Sequence, residues 1–116
     1  ISLDTFPYNG TTTTCEALYM GVPVITVTGN SHAGRVGTSI LSSLGLEESI
    51  ASTQDDYIRK AAALAGDQDR LTELRLTIRS TMESSPLCKG DAFAQKMEQC
   101  YRKIWKDWCD TQFSVN

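Results

Sequence analysis

The 116 residues are enough for one domain with a single core. A hydrophobic content of 41% and a charged content of 22% are those of a soluble globular protein. The net charge of −3, with no basic run, excludes a nucleic-acid surface built on a positive stripe, and no stretch approaches the ~20 apolar residues of a membrane span.

Ile1 to Leu3, apolar on both sides of Ser2, predicts the end of a strand. With no initiator methionine ahead of it, the chain is expected to be a piece of something longer. Residues 4–12 read as a loop, because Pro7 and Asn9-Gly10 are strong turn signals. A helix follows from about Thr13 to Met20, and Gly21 ends it in the left-handed conformation that glycine tolerates. Val22 to Val27 is a nearly continuous β-branched run, the pattern of a strand covered on both faces in a parallel sheet. Pro23 falls at its start, where a missing donor does least harm.

After Gly29-Asn30-Ser31, His32 to Arg35 open a second helix with Val36, Ile40, Leu41 and Leu44 on one face and a stop at Gly45. Leu46 to Ile50 predicts a last short strand. Ser52 or Thr53 caps a helix running to Ala65, with Asp55 or Asp56 three residues on as a capping box requires. Gly66 breaks the chain and Asp67 caps the next helix, where Leu71, Leu74, Ile78 and Met82 follow helical spacing and Arg70, Glu73 and Arg79 point away. Ser84-Ser85-Pro86 ends it. Asp91 caps a final helix of about 18 residues, whose stripe of Phe93, Met97, Tyr101, Ile104 and Trp108 predicts a core or docking face. The order is therefore β-loop-α-β-α followed by three helices: an α/β fold, a partial Rossmann-like βαβ unit with a helical C-terminal segment.

Cys15, Cys88, Cys100 and Cys109 contain no C-x-x-C pair, and His32 is the single histidine, so no metal site is expected. Reduced thiols in the cytoplasm are the expectation. Asn9-Gly10-Thr11 matches a glycosylation sequon, which implies nothing inside the cell.

"GTTTTCEALYMG", residues 10–21, holds the most informative chemistry. The first four N–H groups of a helix lack internal partners, and the summed dipole leaves about half a positive charge there. Gly10 lets a ligand approach the backbone, and Thr11, Thr12 and Thr13 add uncharged hydroxyl donors, so the corner is a candidate phosphate site. Glu16, one turn on, is a candidate acceptor for the vicinal hydroxyls of a ribose. The plain alternative is that Thr13-x-x-Glu16 is only a capping box. His32 and Arg35 lie after a strand's carboxyl end, where open α/β sheets bind ligands, and are possible site-lining residues; Arg35 can equally pair with a surface carboxylate.

"LDTFPYNGTTTTCEALYMGVPVITVTGNSHAGRVG" resembles the donor-binding half of the protein O-glycosyltransferases built from tetratricopeptide repeats and a two-Rossmann (GT-B) catalytic core, glycosyltransferase family 41. These are the O-GlcNAc transferases and the Spindly-type O-fucosyltransferases. "SSPLCKG" and "YRKIWKDWC" resemble the family's closing helices, so the likeness runs nearly the whole chain. It implies that residues 1–50 are the C-terminal part of a nucleotide-sugar-binding Rossmann-like domain and residues 51–116 its C-terminal helices. It places the donor diphosphate on Gly10, Thr11, Thr12 and Thr13 and the ribose on Glu16, with threonine in place of the family's histidine at 11 and glutamate in place of its aspartate at 16.

The family's catalytic lysine lies upstream, so no catalytic residue is expected here and the segment alone should not turn over. The implied reaction moves a sugar from UDP-GlcNAc to Ser or Thr hydroxyls of a protein acceptor, without a metal or cofactor. GDP-fucose is the alternative donor, since the Gly-Thr-Thr-Thr-Thr-Cys-Glu run looks closer to the Spindly branch. A non-catalytic helical interaction domain is the alternative of another class. The implied partners are an upstream Rossmann half and tetratricopeptide repeats, with no nucleic acid and no membrane. The implied location is the cytoplasm, or nucleus and cytoplasm in a eukaryote.

Overall fold

The structure, a computed structural model, describes residues 1–113. In chain order it has β1 (Ser2–Leu3), α1 (Thr12–Tyr19), β2 (Val24–Val27), α2 (Val36–Ser43), a 3-10 turn at Glu47–Ser49 and β3 (Ile50–Ala51). Three further helices follow: α3 (Gln54–Gly66), α4 (Gln68–Ser84) and, after a 3-10 turn at Pro86–Cys88, α5 (Gly90–Phe113). The strands form one parallel sheet in the order β1-β2-β3. Ser2 pairs with Val24 and Leu3 with Ile25 on one side of β2, while Thr26 pairs with Ile50 and Val27 with Ala51 on the other.

The β-branched run of β2 is where a central strand should be. Val24, Ile25 and Thr26 are each at most 1% exposed. Val24 joins Leu18 of α1, Ile40 and Leu41 of α2, and Leu74, Ile78 and Met82 of α4 in the core, and α3 packs on β2 beside Ile25. Gly21 and Gly45, with φ of +73° and +70°, close α1 and α2 alike. Gly21 N–H donates to Leu18 O and Val22 N–H to Ala17 O, and Gly45 and Leu46 repeat the pair on Ser42 and Leu41. This double bond satisfies the carbonyls that a helix end leaves open. Thr53 accepts from Asp56 N–H and Asp67 from Arg70 N–H, so both later caps stand where the sequence puts them.

Four expectations need correction, and a fifth is narrowed. α1 begins at Thr12, and its cap residue Thr11 makes no side-chain cap bond, so the Thr13-x-x-Glu16 capping box does not form: Thr13 is already inside the helix. His32 to Arg35 form a turn closed by Arg35 N–H on His32 O, and α2 starts only at Val36. Most of Leu46 to Ile50 is the 3-10 turn, leaving two residues of strand, because two glutamates and a serine before Ile50 have no apolar partner to line up with. The last helix has 24 residues rather than about 18, with Asp91 in its first turn. Of the two readings of its stripe, core or docking face, the structure removes core: Phe93, Tyr101, Ile104 and Trp108 are 51–65% exposed, and α5 packs chiefly against the 86–88 turn. Helical spacing creates an apolar stripe whether or not the covering surface lies in the same 116 residues.

No helix among the described residues is long and apolar enough to cross a membrane, and no group of three or more His, Cys, Asp or Glu among them is placed to hold a metal ion. The four cysteines are free, Cys15 and Cys109 half-buried and Cys88 and Cys100 exposed.

Candidate functional site

The carboxyl ends of β1 and β2 open onto the loop 4–11 and the amino end of α1. Asp4 continues the β1 ladder, its N–H donating to Ile25 O at 3.0 Å, and its side chain turns inward to 6% exposure. Asp4 Oδ1 accepts from Gly10 N–H at 2.8 Å and Oδ2 accepts from the Thr26 hydroxyl at 2.7 Å. Asn9, 1% exposed, ties the same loop to α2: its Nδ2 donates to Thr5 O, its Oδ1 accepts from Gly37 N–H, and its own N–H donates to Ala33 O. Buried polar groups are tolerable only when satisfied in this way. The Tyr57 hydroxyl donates to Asp4 O at 2.9 Å from α3, and the Phe6 ring meets Tyr57 edge-on at 5.7 Å.

Glycine is required where these parts meet. A Cβ on Gly37 would lie 2.4 Å from both Asp4 Oδ2 and Thr26 Oγ1. A Cβ on Gly10 would lie 2.3 Å from Thr13 Oγ1 and 3.1 Å from Thr14 Oγ1, so both hydroxyls stand over the glycine backbone.

Above this brace the threonines are unspent. The first turn of α1 carries no carboxylate, and the N–H groups of Thr12, Thr13 and Thr14 find no acceptor among the described residues. None of the hydroxyls of Thr11, Thr12, Thr13 and Thr14 makes a hydrogen bond among the described residues either. Thr11, Thr12 and Thr13 are exposed, whereas Thr14 is 3% exposed with its hydroxyl facing the Gly10 corner. A helix end with three open N–H groups and no acid in its first turn attracts an anion.

Beside it runs an open groove of about 870 Å³ between α1 and α2, lined by Thr11, Cys15, Asn30, Ser31, His32, Arg35, the first turns of α2 and Leu87. The structure thus brings Thr11, His32 and Arg35 to one groove. Thr12, Thr13 and Gly10 border the helix corner beside it, and Glu16 lies one turn along, exposed, its side chain making no ion pair or hydrogen bond among the described residues. The Arg35 guanidinium pairs with no carboxylate among the described residues, contrary to the surface ion pair that its neighbourhood allows. Burial, and behind it the Cys88 thiol, push the Cys15 thiol up from its ordinary range. Asp4, Asn9, Thr26 and Gly37 escape a reading of the sequence; an aspartate closing a strand five residues before an Asn-Gly turn is the only local signal for them.

Residues 1–97 match the profile of glycosyl transferase family 41. The chain belongs to that family. A probable UDP-N-acetylglucosamine–peptide N-acetylglucosaminyltransferase SPINDLY of Eustoma exaltatum subsp. russellianum is 56% identical over 109 residues, covering 94% of this chain and 12% of the relative. A UDP-N-acetylglucosamine–peptide N-acetylglucosaminyltransferase of Caenorhabditis elegans is 35% identical over 106 residues, 91% of this chain and 9% of the relative. Among solved structures, a mutant O-GlcNAc transferase of Thermobaculum terrenum superposes with a TM-score of 0.89 at 41% identity, over 97% of this chain and 22% of that one. The family 41 chain described here therefore spans about an eighth of the curated relatives it matches, and its α/β fold, a parallel sheet followed by helices, is that of a segment of an O-GlcNAc transferase.

Proposed function

We propose that this family 41 segment is the donor-binding part of a protein O-glycosyltransferase, with the diphosphate of a nucleotide sugar against the amino end of α1. One observation carries the reading: four threonine hydroxyls and three helix N–H groups meet at one corner, and none is used by the fold. Gly10, Thr11, Thr12 and Thr13 hold the diphosphate, and Glu16 accepts from the ribose hydroxyls. His32 and Arg35 line the groove along which the rest of the donor or the acceptor lies. Charge-assisted bonds of roughly 1.5–3 kcal/mol each, added to the helix dipole, favour the departing nucleoside diphosphate over the intact donor, because charge builds on its oxygens as the glycosidic bond breaks. Neither a metal nor a cofactor has a part in this mechanism. An upstream lysine, implied by the family likeness, completes the charge stabilisation in the intact polypeptide, and the acceptor is a Ser or Thr hydroxyl of a protein.

The donor we assign is UDP-GlcNAc, in line with the names of the relatives. GDP-fucose is the second reading, favoured by the Gly-Thr-Thr-Thr-Thr-Cys-Glu run, which resembles the Spindly branch. Calorimetric titration of UDP and GDP into the intact polypeptide decides between them. Thr12→Val and Thr13→Val should each weaken binding of the preferred diphosphate; unchanged affinity in both would remove the threonines from the site. Binding of neither diphosphate would leave the exposed α5 face, and an interaction role, as the better account.

A further inference from the structure

Asp4 is the charged group nearest the open corner that the donor site does not employ. It is 6% exposed, and its oxygens are held by the Gly10 amide and the Thr26 hydroxyl. No Lys or Arg among the described residues forms an ion pair with it. Charges inside a protein are normally paired. Asp4 has donors but no counter-charge. It stands directly beneath Gly10: a Cβ there would lie 3.4 Å from Asp4 Oδ1 and 2.3 Å from Thr13 Oγ1, so one glycine backbone separates the carboxylate from the hydroxyl cluster above. The hydroxyl of Thr14, a residue 3% exposed overall, lies 3.1 Å from the same point. The charge is felt by its neighbours, since after burial it is the second cause holding the Tyr57 hydroxyl above the ordinary phenol range.

We propose that Asp4 limits the affinity of this corner for the nucleoside diphosphate by placing a fixed negative charge behind it, so that the spent nucleotide leaves. The inference rests on the donor-site reading above and concerns how that site is regulated. An anion at the amino end of α1 gains from the helix dipole and the threonine donors, and a buried carboxylate one peptide deeper opposes part of that gain. The opposition grows with ligand charge. It is largest for the diphosphate and absent for the bare nucleoside. Salt screens it weakly, because the carboxylate is buried.

Asp4→Asn separates charge from hydrogen bonding. The amide oxygen still accepts from Gly10 N–H and the amide NH2 donates to the Thr26 hydroxyl, which accepts as readily as it donates. The test uses the intact polypeptide, with UDP, GDP and the corresponding uncharged nucleosides titrated calorimetrically. Asp4→Asn should bind the preferred diphosphate about tenfold more tightly than the parent, with nucleoside affinity unchanged. Thr26→Val, which removes a donor to Asp4 and leaves its charge, should show no tightening. If Asp4→Asn fails to fold, Asp4→Ser carries the same readings, since its hydroxyl keeps an acceptor near Gly10 N–H. Diphosphate affinity equal to or weaker than the parent's, in a variant that melts like the parent, would overturn the role of the charge. So would tightening in Thr26→Val, or a matching gain for the nucleoside. A parent that binds neither diphosphate would instead overturn the donor-site reading, and this inference with it.

Discussion

Gly10→Ala tests the corner with a single methyl. The φ of Gly10 is not positive, so alanine meets no backbone strain there. What it meets is Thr13 Oγ1 at 2.3 Å. The hydroxyl must swing aside, at about 0.5–1.5 kcal/mol for an off-rotamer side chain. Removing the glycine returns about 0.4–1 kcal/mol through the unfolded chain. Stability should therefore change by less than about 1 kcal/mol. Ligand binding should not be spared. Turning Thr13 away forfeits one charge-assisted bond of about 1.5–3 kcal/mol, a loss of roughly ten- to a hundredfold in diphosphate affinity. Thr13→Ala should lose about the same, and the Gly10→Ala/Thr13→Ala double variant should lose little more than either, because the methyl then meets only Thr14 Oγ1 at 3.1 Å, a contact relieved by a small shift. Calorimetry of UDP and GDP against the four proteins measures the cycle. Unchanged affinity in Gly10→Ala would refute the placement of the diphosphate, and losses that add in full would refute the path through Thr13.

Gly37→Ala drives a methyl to 2.4 Å from Asp4 Oδ2 and Thr26 Oγ1, both short and fixed, and should cost about 2–3 kcal/mol in urea unfolding, with Ser39→Ala on the exposed side of α2 as the near-neutral control. Tyr57→Phe should cost about 1 kcal/mol by removing the hydroxyl that donates to Asp4 O. Burial, then the Asp4 charge, raises the Tyr57 hydroxyl above its ordinary value, so the folded state holds this proton more tightly than the unfolded chain. Its contribution is full below about pH 10 and falls as the pH rises beyond that, and Tyr57→Phe should flatten this alkaline loss in melting curves recorded from pH 8 to 11. Cys15, raised by burial and then by Cys88, should alkylate with iodoacetamide at pH 8 more slowly than exposed Cys100, as peptide mass spectrometry would show; equal rates would contradict the burial.

The β2 run and the glycines at 21 and 45 were legible in the sequence because each rests on local physics: a β-branched strand wants cover on both faces, and a left-handed helix end wants glycine. The caps at Thr53 and Asp67 are local in the same sense. Of the residues the sequence singles out, Thr11, His32 and Arg35 meet in one groove. What joins them was not legible. Asp4 reaches Thr26 across 22 positions and Asn9 reaches Gly37 across 28, and no periodicity marks a contact made between a loop and two separate elements. Which of its two readings, core or docking face, the α5 stripe takes was not legible, for the opposite reason. Its 3.6-residue period is a strong local signal, but the surface that would bury it is not decided locally.

On the donor-site reading proposed above, the four threonines have a physical account that a cap alone does not supply. A helix needs its first N–H groups satisfied or solvated, and a Ser, Thr, Asp or Asn side chain at the cap position is the usual means. Here the cap residue is a threonine whose hydroxyl does not cap, and the task of fixing the entering loop falls to Asp4 below, through the Gly10 amide. Loop geometry is thereby set from beneath and the upper side of the helix end is left open. A fold that only wanted a stable helix would gain about 1 kcal/mol by closing that side with one of the four hydroxyls already in place. Holding all four out of the cap forgoes that gain, and a ligand that collects several of them at once returns it.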